Sequence, residues 1–172
     1  MDLLALTQGR YVWLGLDAPR KEVAIEQLLD LLLREGALPA AAREELLDAV
    51  MQRERRLSTG LECGVAIPHG TTPRLEREVA ALGVYPQGVP FEAVDQGQTK
   101  IVILLMTPQR ERHRHVSNLA AIAKQLLCGD VRRDILAAQS REQVLDAIRR
   151  ASADLEPPLQ PEGRLANRAP RT

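Results

Sequence analysis

The chain has 172 residues and a mass of 19.0 kDa, enough for one domain that buries a hydrophobic core without metals or disulfides. Hydrophobic residues make up 45% and charged residues 27% of it, a balance typical of globular proteins and unlike that of disordered ones. The 23 basic and 23 acidic residues cancel to a net charge of zero, and aromatic residues are only 2% of the chain, which argues against nucleic-acid binding and against sugar binding by aromatic stacking.

The first third of the chain predicts one strand followed by two helices. Tyr11–Leu16 is a short apolar run rich in aromatic and β-branched residues, as expected of a buried strand. Asp17 is a candidate N-cap for a helix that Gly36 ends, and a second helix is expected from about Pro39 to the region of Arg53. The apolar stripe of the first helix consists of Val23, Ile25, Leu28, Leu29 and Leu32. Such a stripe packs one face of a helix against the core.

A loop over residues 57–64 is followed by the apolar run Val65–Ile67, which predicts a short strand. Pro68 is expected to stop this strand at His69 and Gly70. Proline restrains the backbone before the imidazole, and glycine lets a partner approach closely. His69 is therefore expected at a surface rim, where it is a candidate functional residue; the alternative is a loop histidine that only contacts solvent.

The next part of the sequence contains two strands and then three helices. Val79–Tyr85 and Ile101–Met106 are the strands, and because no helix separates them they are candidates for hairpin neighbours. The second is apolar throughout, as in a strand covered on both faces. Helices are predicted over about Arg112–Leu127 and Val131–Leu136, and a last one begins at the capping-box pattern Ser140-x-x-Gln143. This interleaving predicts an α/β three-layer sandwich, with a mixed β-sheet flanked by helices.

Residues 1–153 are expected to form this single domain. Residues 154–172 are polar and rich in proline, which predicts a disordered tail. No apolar stretch approaches the ~20 residues that span a bilayer, and no basic segment with a following hydrophobic run marks a signal peptide. Two cysteines are too few for a disulfide framework and fit a reducing compartment, so a cytoplasmic location without membrane insertion is expected.

The second candidate functional residue is His115. His115, Leu119, Ile122 and Leu126 follow one another at helical spacing along a single apolar stripe, so the histidine lies at the start of the buried face. The alternative is a histidine at a helix start whose ring is satisfied by a backbone carbonyl. His113 is rotated away from this stripe and is assigned to solvent.

A metal site and a cysteine nucleophile are two further candidates. His69, His113, His115 and Cys63 are zinc-ligand types, but an i, i+2 pair on a helix points to different sides, and the spacings of zinc sites are missing. No nucleophile signature surrounds Cys63, so Cys63 and Cys128 are interpreted as small packing residues. Neither a metal nor an organic cofactor is expected.

An anion-binding cradle is the third possibility. The charged run from Gln52 to Arg56 closes the second helix and is followed directly by Ser58 and Thr59. A guanidinium, two hydroxyls and backbone amides near His69 are suited to hold a phosphate. The alternative is a solvated helix end, where basic side chains interact favourably with the helix dipole.

Residues 53–70, with the sequence RERRLSTGLECGVAIPHG, resemble the active-site segment of a known family. This family is the fructose/mannitol-type (type-2) enzyme IIA domain of the phosphoenolpyruvate-dependent sugar phosphotransferase system, which includes the nitrogen-regulatory IIA proteins. Two further stretches resemble it in order: Gly88–Phe91 with Val102–Leu105 and Thr107-Pro108, and then His115 with Leu119, Ile122 and Ala123. The resemblance covers about residues 7 to 150.

The resemblance implies a role for each matching residue. His69 is expected to accept a phosphoryl group, with His115 and Arg53 as its partners and the Ser58 and Thr59 hydroxyls as further phosphate-binding groups. The donor would be the phosphohistidine protein HPr or its nitrogen-branch homologue. The expected role is nitrogen-type regulation through target proteins; the alternative is a sugar-transport IIA that passes phosphate to an enzyme IIB.

The sequence departs from the family pattern near His69. Glu62 and Cys63 stand where glycine and asparagine are frequent, and Thr71–Pro73 is less basic than in some members. Glu62 brings a negative charge to a segment expected to bind phosphate. Neither departure removes a residue with an expected chemical role. A further alternative is an interaction module that keeps the fold and is not phosphorylated, although the presence of Arg53, His69 and His115 together argues against it.

Overall fold

The apolar runs of the sequence form a central sheet with helices on both faces, in a computed structural model that describes residues 3–127 and 129–155. The helices are α1 (Leu3–Leu6), α2 (Lys21–Arg34), α3 (Arg43–Arg56), α4 (Arg112–Leu127), α5 (Gly129–Ala137) and α6 (Arg141–Leu155). The strands are β1 (Val12–Trp13), β2 (Val65–Ala66), β3 (His69–Thr72), β4 (Val79–Val89) and β5 (Thr99–Pro108). Short 3-10 turns at Ala40–Ala42 and Gln109–Glu111 precede α3 and α4.

The sheet is mixed, as the sequence predicts. β1 pairs in parallel with β4, and β4 pairs antiparallel with β5, so the predicted hairpin neighbours are confirmed. β2 and β3 follow one another along the other edge of β5, both in parallel with it. Every residue of β5 except Lys100 is buried, which confirms that this strand is covered on both faces.

Two hydrophobic clusters cover the two faces of the sheet. One joins the sheet to α2 and α3 and includes Leu28, Leu46 and Val50. The other joins it to α1, α4, α5 and α6 and includes Ile122 and Ile148. The three-layer α/β sandwich is therefore confirmed. None of the described helices combines the length and the apolar composition that crossing a membrane requires.

The start of the first long helix differs from the prediction. Asp17 is not its N-cap: α2 begins at Lys21 after Arg20, which makes no side-chain capping bond. The Leu16 amide donates to the Val84 carbonyl, so the chain is still held along β4 just before Asp17 and must cross to the helical layer first. The strand is also shorter than predicted, and α1 was missed because its four residues carry too little helical periodicity.

Pro68 interrupts the edge of the sheet but does not end it. The strand was expected to stop at His69 and Gly70, whereas β3 begins at His69 and pairs it with Leu105. Pro68 lacks an amide proton, yet its carbonyl accepts a hydrogen bond from the Leu105 amide at 2.9 Å, which carries the pairing across the proline. β4 likewise continues beyond its predicted end at Tyr85, to Val89.

Cys63 is exposed, so the prediction that it is a packing residue is wrong. Its backbone has a φ of 63°, and its amide donates to the Asp95 carboxylate at 2.8 Å, which holds a turn at the surface. Ser140 caps α6 by accepting the Gln143 amide at 3.3 Å, as the capping pattern predicts. Cys128 and residues 156–172 of the predicted tail lie outside the described residues, while α6 continues to Leu155.

Gly70 brings α3 close to β3, beside His69. A Cβ atom on Gly70 would lie 2.9 Å from Cγ2 and 3.2 Å from the backbone nitrogen of Val50. The second contact is with helix backbone, which cannot rotate away. The helix that carries Arg53 is thereby held against the strand that carries His69.

We predict that Gly70→Ala lowers the free energy of unfolding by about 1–3 kcal/mol, because the added methyl group overpacks this contact. Chemical denaturation measures the change. Gly129→Ala is the matched control, since a Cβ there meets no described atom within 4 Å beyond its chain neighbours and the nearby backbone of its own helix. Equal stability of the two variants would contradict the close packing of α3 on β3.

Candidate functional site

The last turns of α3, the start of β3 and the first turn of α4 surround one pocket. Its lining is strongly basic and contains no carboxylate. The lining residues are Ala49, Gln52, Arg53, Arg56, His69, Gly70, Thr71, Arg112 and His115. The structure therefore brings together three residues that the sequence analysis selected: Arg53, His69 and His115.

His69 is held in one orientation with one ring nitrogen available. Its side chain is only 8% exposed, and Nδ1 lies 2.8 Å from the carbonyl oxygen of Ile67. Because a carbonyl can only accept, Nδ1 carries the proton of the neutral ring. Nε2 then carries the lone pair, and none of the described residues forms a hydrogen bond with this nitrogen. A neutral imidazole nitrogen with a free lone pair is chemically able to act as a nucleophile.

Burial lowers the pKa of His69 below its ordinary value of 6.5. The hydrogen bond to Ile67 and the charge of Glu54 oppose this shift, and the positive charge of Arg53 adds to it. The net direction is downward. His69 is thus neutral at pH 7, the state in which an imidazole acts as a nucleophile.

His115 faces His69 from the first turn of α4. The two ring centroids are 4.8 Å apart with 57° between the ring planes. Nδ1 of His115 lies 2.9 Å from the hydroxyl of Thr107, so the predicted alternative of a backbone carbonyl partner is not what the ring uses. Burial, followed by the positive charges of His69, Arg53 and Arg112, lowers the pKa of His115 to about 4.

Three arginines supply positive charge around the two rings. The half-buried Arg53 is held in place because its Nη1 donates to the Leu57 carbonyl at 2.8 Å, and its other N–H groups remain for a ligand. Arg56 and Arg112 are exposed at the rim. Neither was predicted from the sequence, although a helical signal was present: Arg56 follows Arg53 by three residues and Arg112 precedes His115 by three.

The structure does not bring Ser58 and Thr59 to this pocket. The Ser58 hydroxyl donates to the Phe91 carbonyl. The Thr59 hydroxyl donates at 2.6 Å to Glu54, which also accepts the Thr59 amide at 3.2 Å. Glu54 is 3% exposed, and a buried carboxylate where a phosphate was expected repels a phosphate. These two residues stabilise the turn after α3.

The zinc-ligand set is not assembled either. Cys63 and His113 are both exposed and line no part of the pocket. Among the described residues, no three histidine, cysteine or acidic side chains are close enough to share a metal ion. Glu62 is exposed and also lies outside the pocket lining.

A buried imidazole with a free Nε2, opposite a second imidazole and among arginines, is an arrangement suited to phosphoryl transfer. The family described as "Phosphoenolpyruvate-dependent sugar phosphotransferase system, EIIA 2" matches residues 5–151. The chain belongs to that family. IIA components of this system are phosphotransfer proteins, so the chain is a transferase-type component.

Relatives of two kinds are similar to this chain. The fructose-specific EIIA component of Haloferax volcanii is 31% identical over 147 residues, 86% of this chain and 94% of that protein. The nitrogen regulatory protein of Escherichia coli K12 is 31% identical over 132 residues, 74% of this chain and 77% of that protein. The crystal structure of the nitrogen regulatory protein IIA-Ntr from Neisseria meningitidis superposes with a TM-score of 0.72 at 25% identity, covering 80% of this chain and 92% of that one.

We predict that acid destabilises the IIA fold through its two site histidines. Unfolding returns each pKa to about 6.5, so protons bind the unfolded chain more readily. The stability that the neutral rings contribute is complete above pH 6.5 and is lost as the pH falls toward their lowered folded pKa values, about 4 for His115. The free energy of unfolding, measured between pH 7 and pH 4.5, should fall.

The decline should be smaller in His115→Gln, because glutamine does not titrate. NMR titration of the imidazole signals gives the midpoints directly, with His69→Ala and His115→Ala used for assignment. A midpoint above 6.5 for either ring would contradict the burial argument.

Proposed function

We propose that this protein is a phosphocarrier that accepts a phosphoryl group on Nε2 of His69, within a IIA domain formed by residues 1–153. The donor is a phosphohistidine protein of the HPr type or its nitrogen-branch homologue. The observation that carries the proposal is the free Nε2 of a buried, neutral His69, which opens into a pocket lined by His115 and three arginines.

The transfer step is a displacement at phosphorus. The Nε2 lone pair of His69 forms the new P–N bond, and the electron pair of the breaking P–N bond returns to the donor's imidazole nitrogen. The proton on Nδ1 of His69 stays in place, and the Ile67 carbonyl stabilises the positive charge that develops on the ring. The donor enters as a phosphoimidazolium and leaves as a neutral imidazole, so charge is conserved.

Arg53, Arg56, Arg112 and His115 stabilise the negative charge on the equatorial oxygens of the transferred group. Such groups act best when they are positioned before the donor arrives. Arg53 meets this condition because the Leu57 carbonyl holds its guanidinium. In both donor and product the phosphoryl group is bonded to an imidazole nitrogen, so the transfer is readily reversible, as a carrier requires.

We further propose that the phosphorylated and unphosphorylated forms bind regulated target proteins differently in the cytoplasm, as a nitrogen-type regulator. The similarity to the IIA-Ntr structure supports this role, while the equal identity to the fructose-specific relative supports transport. Incubation of the phosphorylated protein with a purified fructose-type enzyme IIB separates the two. Rapid loss of the phosphoryl group to IIB would favour the transport role.

We predict that His69→Ala abolishes the uptake of acid-labile phosphate from radiolabelled phospho-HPr, because the variant lacks the nucleophilic nitrogen. His113→Ala is the matched control, since His113 is exposed and lies outside the pocket lining. It should take up phosphate at the wild-type rate. Wild-type protein that gains no phosphate from HPr or from its nitrogen-branch homologue would instead favour the interaction module.

Arg53→Ala should slow phosphoryl uptake about 10- to 100-fold, because a charge-assisted hydrogen bond contributes roughly 1.5–3 kcal/mol. Arg55→Ala is the control: Arg55 is exposed on the same helix and does not line the pocket. Rapid-quench kinetics compare the two variants, and thermal unfolding verifies that both are folded. Equal rates would remove Arg53 from the transfer site.

A further inference from the structure

A chain of buried hydrogen bonds lies behind His115, on the side away from the pocket. The Thr107 hydroxyl is 2.9 Å from Nδ1 of His115 and donates at 2.8 Å to Oε1 of Glu78. The side-chain amide of Asn118 donates to Oε2 of the same carboxylate. Glu78, Thr107 and Asn118 are 8%, 0% and 7% exposed, so the three form a buried polar cluster.

Each member of this cluster follows from the fold. β4 and β5 are antiparallel with Val79 opposite Met106, which brings Glu78, one residue earlier, opposite Thr107. Asn118 lies three residues after His115 and therefore on the same face of α4. The carboxylate of Glu78 therefore accepts hydrogen bonds from both β5 and α4.

The hydrogen bonds of the cluster fix the position of a proton. An ionised carboxylate only accepts, and a hydroxyl has a single proton to donate. Since the Thr107 proton points to Glu78, the Thr107 oxygen must accept from His115, so Nδ1 of His115 is the protonated nitrogen. Nε2 of His115 then carries a lone pair. Without the carboxylate, the hydroxyl is free to rotate and to donate to Nδ1, which would move the ring proton to Nε2.

The alternative explanation is that the cluster only attaches α4 to the sheet. Burial of a carboxylate opposes folding, and apolar residues of similar volume would attach a helix at least as well. A carboxylate that is connected to a site histidine by one hydroxyl offers what apolar packing does not: a fixed tautomer and a negative charge behind the ring.

We propose that Glu78 is a positioning residue that acts through Thr107: it holds the proton of His115 on Nδ1 and leaves Nε2 to take up a second proton when the phosphoryl group enters the pocket. This inference rests on the proposed phosphocarrier function. The only bond that changes at His115 is the Nε2–H bond, whose proton comes from solvent on loading and returns to solvent when the phosphoryl group leaves.

The charges around His115 favour a neutral ring in the empty pocket and a protonated ring in the loaded pocket. In the empty pocket at pH 7, burial and the positive charges of Arg53 and Arg112 keep the ring neutral. A phosphoryl group on His69 would place negative charge beside the ring, which favours the imidazolium form. The imidazolium would then donate from Nε2 to a phosphoryl oxygen and from Nδ1 to Thr107, with the Glu78 charge behind it. At pH 7, His115 would thus become a cation only when the pocket is loaded.

The first experiment measures the tautomer by NMR of the unphosphorylated full chain with ¹⁵N-labelled histidine at pH 7. We expect His115 to carry its proton on Nδ1 in the wild type and in Thr107→Ser, which keeps the hydroxyl. Thr107→Val should lose this preference. A wild-type His115 protonated on Nε2, or an unchanged spectrum in Thr107→Val, would overturn the inference.

Thr99→Val is the matched control for this series. Thr99 is a buried threonine on the same strand, and its hydroxyl has no hydrogen-bond partner among the described residues. The substitution removes the same atom from β5 without touching the cluster. The His115 signals should therefore remain those of the wild type, and a shift as large as that of Thr107→Val would indicate a general effect of the substitution.

The second experiment measures phosphoryl uptake from phospho-HPr. Thr107→Val and Glu78→Gln should each be slowed about tenfold, as for loss of one charge-assisted contact, whereas Thr107→Ser and Thr99→Val should remain near the wild-type rate. In phosphorylated wild type, both nitrogens of His115 should be protonated. Wild-type rates in Thr107→Val and Glu78→Gln would overturn the inference while leaving the phosphocarrier function intact.

The two readouts keep the proposals separate. The tautomer measurement requires no phosphoryl donor, so with Glu78→Gln added to the series it tests the action of Glu78 even if the wild type gains no phosphate, the result that would overturn the proposed function. If Thr107→Val does not fold, the wild-type tautomer and the uptake rate of Glu78→Gln still test whether Glu78 positions the proton of His115.

Discussion

The hydrogen bond between Nδ1 of His69 and the Ile67 carbonyl is the contact on which the site depends. It joins two residues separated only by Pro68, whose ring restrains the backbone between them. One imidazole nitrogen is thereby committed to the protein, and the other opens into the pocket. Pairing with β5 continues on both sides of the proline, through β2 before it and β3 after it, so the histidine is anchored in the sheet while its ring remains at the edge.

The site is basic although the chain as a whole is neutral. Three arginines and two histidines line the pocket, and the nearby carboxylates of Glu54 and Glu78 lie in buried positions behind the lining. Both carboxylates accept hydrogen bonds from threonines, and each connects a segment of the site to another part of the fold: Glu54 to the turn after α3, Glu78 to α4 and β5. Negative charge thus stabilises the walls and is kept away from the space where an anion would bind.

Close packing determines how near these groups come to one another. The helix that carries Arg53 lies against the strand of His69 because Gly70 has no side chain. The helix that carries His115 is held to the sheet by apolar side chains such as Ile122 and by the polar cluster around Glu78. The 4.8 Å between the two imidazole rings is therefore a result of contacts on both faces of the sheet.

The sequence alone determined the layered α/β fold and the selection of Arg53, His69 and His115. Hydrophobic periodicity and the motif that runs from Arg53 to His69 are local signals. They can be recognised in the sequence because each depends only on residues that are near one another in the chain.

The sequence did not determine where hydroxyls and carboxylates point. Ser58 and Thr59 were expected to bind phosphate, but Phe91 and the buried Glu54 take their hydrogen bonds. Glu78, Thr107 and His115 have no local pattern in common. Only the antiparallel register of β4 and β5, with α4 packed beside them, brings the three together, because hydrogen bonds between distant segments form only after the chain has folded.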